Sequence, residues 1–333
     1  MRSRTVRALL AVIGAAGLLC LTHPAQAQPS ADEVLANAGL SADAKQRVLN
    51  GEFVTADASP VSDRDLAVSM AFLVKTSPDA LSKQIVAGSL ITSDAQVQAY
   101  ALFKKPGSLA DLAGLRISGD EAKALAGAKA GAALNLSAAE IAAFNGLPGG
   151  NQQAVQRELQ QMLLRRHQAY RASGLAGIAP YARGGGSDIN LESDLRKATQ
   201  AAQGLAKYLP KFHALLAGYP QGMDAETQEN FSWLRSKIHG EFTYVLQHTL
   251  VVADGATRAA VQRQYYVSMG YNGEQAVAGF LPVPGGTLVV YSSHAFTDQV
   301  SGFGGSMKRG IGGRVMADQL KKMFEVGRTK AAQ

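Results

Sequence analysis

Ser293, His294 and Asp298 lie within six positions of one another in a 333-residue chain, and a glycine-rich, basic run at 302–314 follows them. A serine, a histidine and a carboxylate are the parts of an activated hydroxyl nucleophile, the imidazole acting as base and the acid orienting it. The spacing works against that chemistry. Adjacent strand residues point to opposite faces, so Ser293 and His294 do not share a proton, and no G-x-S-x-G elbow occurs in the chain. The run after Asp298 lacks the G-x-x-x-x-G-K-S/T order of a phosphate loop. Gly302, Gly305, Gly310 and Gly313 each cost about 1 kcal/mol against alanine in a helix interior. They are expected to let a final helix lie close on a sheet, or to leave room for a ligand between the two.

Splitting the apolar runs of the last third into their two faces brings out another set. His248 alternates with Phe242, Tyr244, Leu246, Leu250 and Val252; Arg263 with Val261, Tyr265, Val267, Met269 and Tyr271; His294 with Leu288, Val290 and Phe296. A buried ionisable group needs a partner. A ligand carboxylate or phosphate is one such partner; a protein group that makes each histidine an ordinary core residue is the other. Arg263, His248 and His294, with Tyr265, Tyr271 and Phe280 beside them, are the candidate ligand-binding residues. No catalytic residue, metal ligand or cofactor is expected, since the histidines at 167, 213, 239, 248 and 294 show neither H-x-x-x-H nor H-E-x-x-H spacing.

The elements that must position these residues are legible from turn chemistry. Four apolar runs, 241–253, 258–271, 274–283 and 287–297, are separated by Asp254-Gly255, Asn272-Gly273 and Pro284-Gly285-Gly286, which predicts an antiparallel meander. A two-residue Asn272-Gly273 turn sets Tyr265 opposite Phe280 and turns Ala276, Ala278 and Phe280 inward, where the small alanines leave space. His294 joins them if the next turn has three residues; Tyr291 and Ser293 do if it has two. Helical spacing resumes after Asp298 and runs to about Gly327.

Upstream, residues 31–51 read as two short helices, 66–75 as a β-run, Ser77-Pro78 as a helix start, and 97–105 as a strand. Within 108–235, Ser137 to Glu140 fits a capping box, and Val155, Leu159, Met162, Leu163 and Tyr170 form one stripe. Asp224 is expected to cap a helix carrying Phe231, Trp233 and Leu234. The fold class is therefore α+β: a C-terminal antiparallel β-meander packed by a long C-terminal helix, with a mostly helical middle region. The divisions fall at 28–107, 108–235 and 236–333, with 64–105 and 236–333 as candidates for one shared sheet.

Arg2, Arg4 and Arg7 ahead of the apolar run from Ala8 to Leu21, with Ala25-Gln26-Ala27 behind it, read as a secretory leader over 1–27, cleaved near Ala27/Gln28. This places the mature chain in the periplasm or outside the cell. The leader holds Cys20, the chain's one cysteine, so no disulfide is expected. No later run is apolar enough for a transmembrane span. Removing the three leader arginines leaves 30 basic residues against 26 acidic ones, a balance of +4. Its basic pairs are scattered, which argues against a nucleic-acid partner.

A β-run closed by KTSPDALSKQIVAG, a later meander and a long final helix rich in small residues together resemble the helix-grip proteins of the START and Bet v 1 type. The resemblance covers roughly 64–105 and 241–328 and is one of pattern; some 130 mostly helical residues stand between the two parts. It implies a curved antiparallel sheet whose C-terminal helix closes over an apolar cavity. The expected function is accordingly a secreted or envelope protein that binds a hydrophobic small molecule of lipid type, neutral or anionic, between the sheet and the C-terminal helix. Arg263 with His248 or His294 would meet its polar end. The alternatives are a cell-envelope hydrolase built around His294 and Asp298, and a non-catalytic interaction protein. The sequence names no protein partner.

Overall fold

Serines placed ahead of amphipathic runs start most of the short helices. The computed structural model describes residues 29–331 except 57, 90, 149, 239 and 303; the leader, Cys20 and His239 lie outside the described residues. Helices α1 (Ala31–Asn37), α2 (Ala42–Leu49) and α3 (Pro78–Val86) begin behind Ser30, Ser41 and Ser77, each hydroxyl accepting the backbone N–H three residues on. Capping boxes at Ser118/Glu121 and Ser137/Glu140 start α4 (Gly119–Ala126) and α5 (Ala138–Asn145). Then come α6 (Gln152–Ser173), α7 (Leu191–Ala201), α8 (Pro210–Gly218) and the C-terminal α9 (Gly305–Ala331). Among the described residues no helix is long and apolar enough to cross a membrane.

Eight antiparallel strands form one sheet: β1 (Val54–Ala56), β2 (Asp65–Val74), β3 (Val97–Leu102), β4 (Gln228–Ile238), β5 (Glu241–Asp254), β6 (Thr257–Val267), β7 (Gly273–Val283) and β8 (Gly286–Phe296). Their order is β1-β2-β8-β7-β6-β5-β4-β3, so the meander lies between β2 and β3, which both precede the helical segment. The helix expected after Asp224 is a strand instead. Asp224 accepts the N–H groups of Glu226 and Thr227 in a turn, and β4 then pairs with β5 from Gln228↔Val251 to Ile238↔Glu241. A full neighbouring ladder overrides a local cap signal, and the helical middle closes at Gly218, the end of α8.

Helices cover both faces of the sheet. On one face α4 to α8 pack against Leu246, Leu250, Val252, Ala259, Val261 and Val277. On the other, α3 and α9 pack against Met70, Phe72, Val251, Ala260, Phe280 and Tyr291, with Leu320 and Phe324 of α9 closing the layer. The α6 stripe is buried as its 3.6-residue period requires, including Tyr170 at 0 % exposure.

Register departs from the expected hairpin at Asn272-Gly273. Phe280 lies opposite Arg258 rather than Tyr265, and β6 leaves β7 after Gln264↔Glu274. Asn272 is buried, donating its N–H to the Phe296 carbonyl and its amide to Asp298. Gly273 has no left-handed φ; a Cβ there would stand 2.6 Å from Leu191 and 2.9 Å from the Gln264 carbonyl, so the glycine admits α7. Gly273→Ala is expected to cost about 1–3 kcal/mol by overpacking, seen as a lower thermal midpoint by circular dichroism; an unchanged midpoint would mean that α7 shifts away freely. The next turn is the two-residue option, since Val283 pairs Gly286 across Pro284-Gly285, with Gly285 at φ 89°.

Candidate functional site

His248, Arg263 and His294 do share a face, in one lateral row. The ladder pairs run His248↔Arg263, Arg263↔Gln275 and Gln275↔His294. A bulge at Tyr265 of β6, opposite the step from Leu246 to Gln247 of β5, lets Tyr265 and Tyr266 both join this face. The face is the one under α6 to α8, opposite α9. Phe280 and Tyr271 lie on the other side: Phe280 in the layer closed by α9, and Tyr271 beside Leu234 and Val245, bonded to Gln264. Arg263, His248 and Tyr265 are thus not placed between the sheet and the C-terminal helix.

The first half of the row is a closed hydrogen-bond network. Arg263, 1 % exposed, donates to Gln275 Oε1 through Nε (2.8 Å) and Nη2 (2.6 Å), to Tyr170 Oη (3.0 Å), and to Thr199 Oγ1 and the Leu216 carbonyl. Among the described residues no carboxylate lies within ion-pair distance of it. Tyr170 passes the chain to His248 Nδ1 (3.1 Å), whose Nε2 lies 3.2 Å from Glu229 Oε1. Glu229 Oε2 meets Lys105 Nζ at 3.2 Å, where the network reaches solvent.

Burial lowers the His248 pKa to about 4, the Glu229 contact opposing it only in part. Burial alone would raise Glu229, yet hydrogen bonds from His248, Tyr219 and Lys105 hold it at about 2. His248 is therefore neutral at pH 7, accepting from Tyr170 and donating to an ionised Glu229. Tyr265 stacks on Tyr170 at 4.1 Å, and its hydroxyl lies 3.3 Å from His167 Nδ1. In this half, among the described residues, Gln275 Nε2 is buried without a hydrogen-bond partner, and His248 Nε2 has only its 3.2 Å contact with Glu229.

His294 is built differently. Its Nδ1 lies 2.8 Å from Oδ2 of Asp65, a carboxylate at 0 % exposure, and that same Oδ2 accepts the Val61 N–H at 2.7 Å. The expected partner, Asp298, instead bonds Arg183 and Asn272. Next to Asp65, Arg64 pairs with the buried Asp194 of α7 at 3.0 Å, fixing the helix over this part of the sheet. His294 lines a cavity of about 330 Å³ between β2, β7 and β8 on one side and α1, α7 and the turn at 202–207 on the other. Its walls are mostly apolar, among them Val34, Leu205, Leu209, Val277, Leu281 and Leu288; Ser69, Thr257, Tyr291, Ser292 and His294 are the polar groups on the sheet side. Lys207 pairs with Glu33 at 2.8 Å and Tyr208 bonds Asn37, which ties α1 over this space.

A second cavity, about 80 Å³, lies between the sheet, α3 and α9, lined by Phe72, Phe280, Val289 and Phe324. That volume suits a few waters, whereas the 330 Å³ space reaches the range of small-molecule sites.

Sequence reading missed Asp65, Tyr170, Thr199, Glu229 and Gln275. The signal for Tyr170 was present, since a phenol on a stripe that turns into the core needs a partner there. No family model, curated protein or solved structure matches the chain.

Proposed function

We propose that the protein is an exported carrier that holds a hydrophobic small molecule of lipid type in the 330 Å³ cavity. The observation that carries this reading is the cavity itself: a mostly apolar chamber with a few polar groups in its walls. The leader-like arginines and apolar run support export. Of the candidate binding residues, His294 lines this cavity and Phe280, packed in the layer closed by α9, only borders it, while Arg263, His248 and Tyr265 stiffen the sheet beside it.

Ser292→Phe fills the chamber from a strand position that suits an aromatic. It is expected to cut binding of the neutral fluorophore N-phenyl-1-naphthylamine at least tenfold while the thermal midpoint moves by only a few degrees. A wild-type protein that neither takes up the fluorophore nor carries a small molecule in native mass spectrometry would end the proposal.

The Asp65–His294 pair also favours a second reading, an envelope hydrolase, with Asp65 in the place first given to Asp298. Ser69 and Ser292 share the cavity, but Ser69 bonds the Tyr291 carbonyl and neither serine bonds the imidazole. A serine-directed fluorophosphonate that labels the protein, and fails to label Ser292→Ala or Ser69→Ala, would replace the carrier reading with this one.

A further inference from the structure

His294 is the histidine in the wall of the large cavity, and its surroundings fix which nitrogen carries the proton. Asp65 Oδ2 already accepts a backbone N–H from Val61. A backbone amide only donates, and an ionised carboxylate oxygen only accepts. The second contact on it, from His294 Nδ1 at 2.8 Å, is therefore made by an N–H. In the neutral ring Nε2 is then a lone-pair acceptor. Among the described residues the ring's hydrogen-bond contact with protein is the one through Nδ1, and the ring lines the cavity.

We infer that the molecule held in this cavity ends in an uncharged hydroxyl, which donates to His294 Nε2. The inference rests on the carrier reading above and narrows its ligand class. A carboxylate or ketone oxygen offers only lone pairs, which would face the lone pair of Nε2. A carboxylate would also stand near the buried Asp65, and binding it would require a proton drawn into the site. An ammonium group would donate, but the cavity wall holds no carboxylate to receive the charge, and an isolated charge is costly to bury. An alcohol donates to Nε2 and can use its own lone pairs for the hydroxyls of Ser69 or Ser292, which share the wall. Asp65 acts here as a positioning residue that never meets the ligand.

The test displaces N-phenyl-1-naphthylamine from the full protein at pH 8 with 1-dodecanol, 2-dodecanone and dodecanoate. The alcohol is expected to compete at least tenfold better than the ketone or the acid. His294→Phe should bring alcohol and ketone to within about twofold while the fluorophore still binds. Asp65→Asn keeps an oxygen for Val61 and Nδ1, so it should preserve the alcohol preference; Asp65→Leu should lose it.

Ketone or dodecanoate competing as well as the alcohol on the wild-type protein would overturn the inference while leaving the carrier reading intact. So would an alcohol preference that survives in His294→Phe. If the fluorophore does not bind, or none of the three displaces it, the cavity reading itself fails and this inference falls with it.

Discussion

Arg263→Ala is expected to cost about 3–5 kcal/mol of folding stability, a large share of the ~5–15 kcal/mol that holds a domain together. The guanidinium makes five donor contacts from a fully buried position, to a glutamine amide, a tyrosine hydroxyl, a threonine hydroxyl and a carbonyl. These come from β7, α6, α7 and α8, so one side chain of β6 ties three helices to the sheet. Truncation leaves Gln275 Oε1 and the Leu216 carbonyl without a strong donor, and opens a void beside Tyr170. Unmet acceptors and a cavity are separate costs. Arg263→Met refills most of the volume without the donors and should recover only part of the loss. Urea unfolding of the three proteins measures this; a change below 1 kcal/mol in Arg263→Ala would show that the helices are held by apolar contact alone. The sequence suggested that Arg263 meets the polar end of a ligand; its five contacts are instead with protein groups.

The strands of the meander were legible because Asp-Gly and Pro-Gly pairs interrupt long apolar runs, but alternation along them leaves the face of His294 to a turn length. The two-residue turn sets Tyr291 and Ser293 beside Ala278 and Ala276, and His294 joins Arg263 because the register at Asn272-Gly273 pairs Arg263 with Gln275. What alternation does not carry is which layer covers that face. Both faces of this sheet are buried under helices, so the apolar contrast that normally marks the inside is weak. The C-terminal helix covers the face of Phe72 and Tyr291, and the middle helices cover the polar row. Gly273 misled for a related reason: in Asn-Gly a hairpin glycine and a close-approach glycine look alike, and only Leu191, 82 positions upstream, tells them apart. Partners such as Asp65, 229 residues from His294, are set by strand order, which local spacing does not encode. The Phe231 segment was lost to a plausible cap, although its aromatic pair at spacing two already carried the strand period.

Acid should unfold this protein well above the pH at which surface carboxylates titrate. His167 and His248 are both held to a pKa of about 4 by burial; the Pro106 carbonyl opposes the shift at His167, and Glu229 opposes it at His248. In the unfolded chain each histidine takes a proton near pH 6.5. Below that value the unfolded state binds protons that the native state refuses, so stability falls as pH drops. The loss is absent above about pH 7 and reaches roughly 3 kcal/mol per histidine by pH 4. Glu229 acts in the same direction further down, because its native pKa of about 2 lies under the ordinary glutamate value of 4.5.

The two imidazoles repel one another once charged, which makes the second proton harder still to accept. Between pH 6 and 4.5 the unfolding free energy should therefore fall with a slope set by about two protons, or roughly 2.7 kcal/mol per pH unit. His167 sits stacked on Phe103 at 4.1 Å and edge-on to Phe231, a site that admits a phenyl ring. His167→Phe should consequently halve the slope while leaving stability at pH 7.5 within about 1–2 kcal/mol of wild type, the remaining cost being the hydrogen bond lost to Tyr265. A slope unchanged by that substitution would mean that His167 is already protonated in the native protein, and with it the neutral network that runs from Arg263 to Glu229 would have to be redrawn.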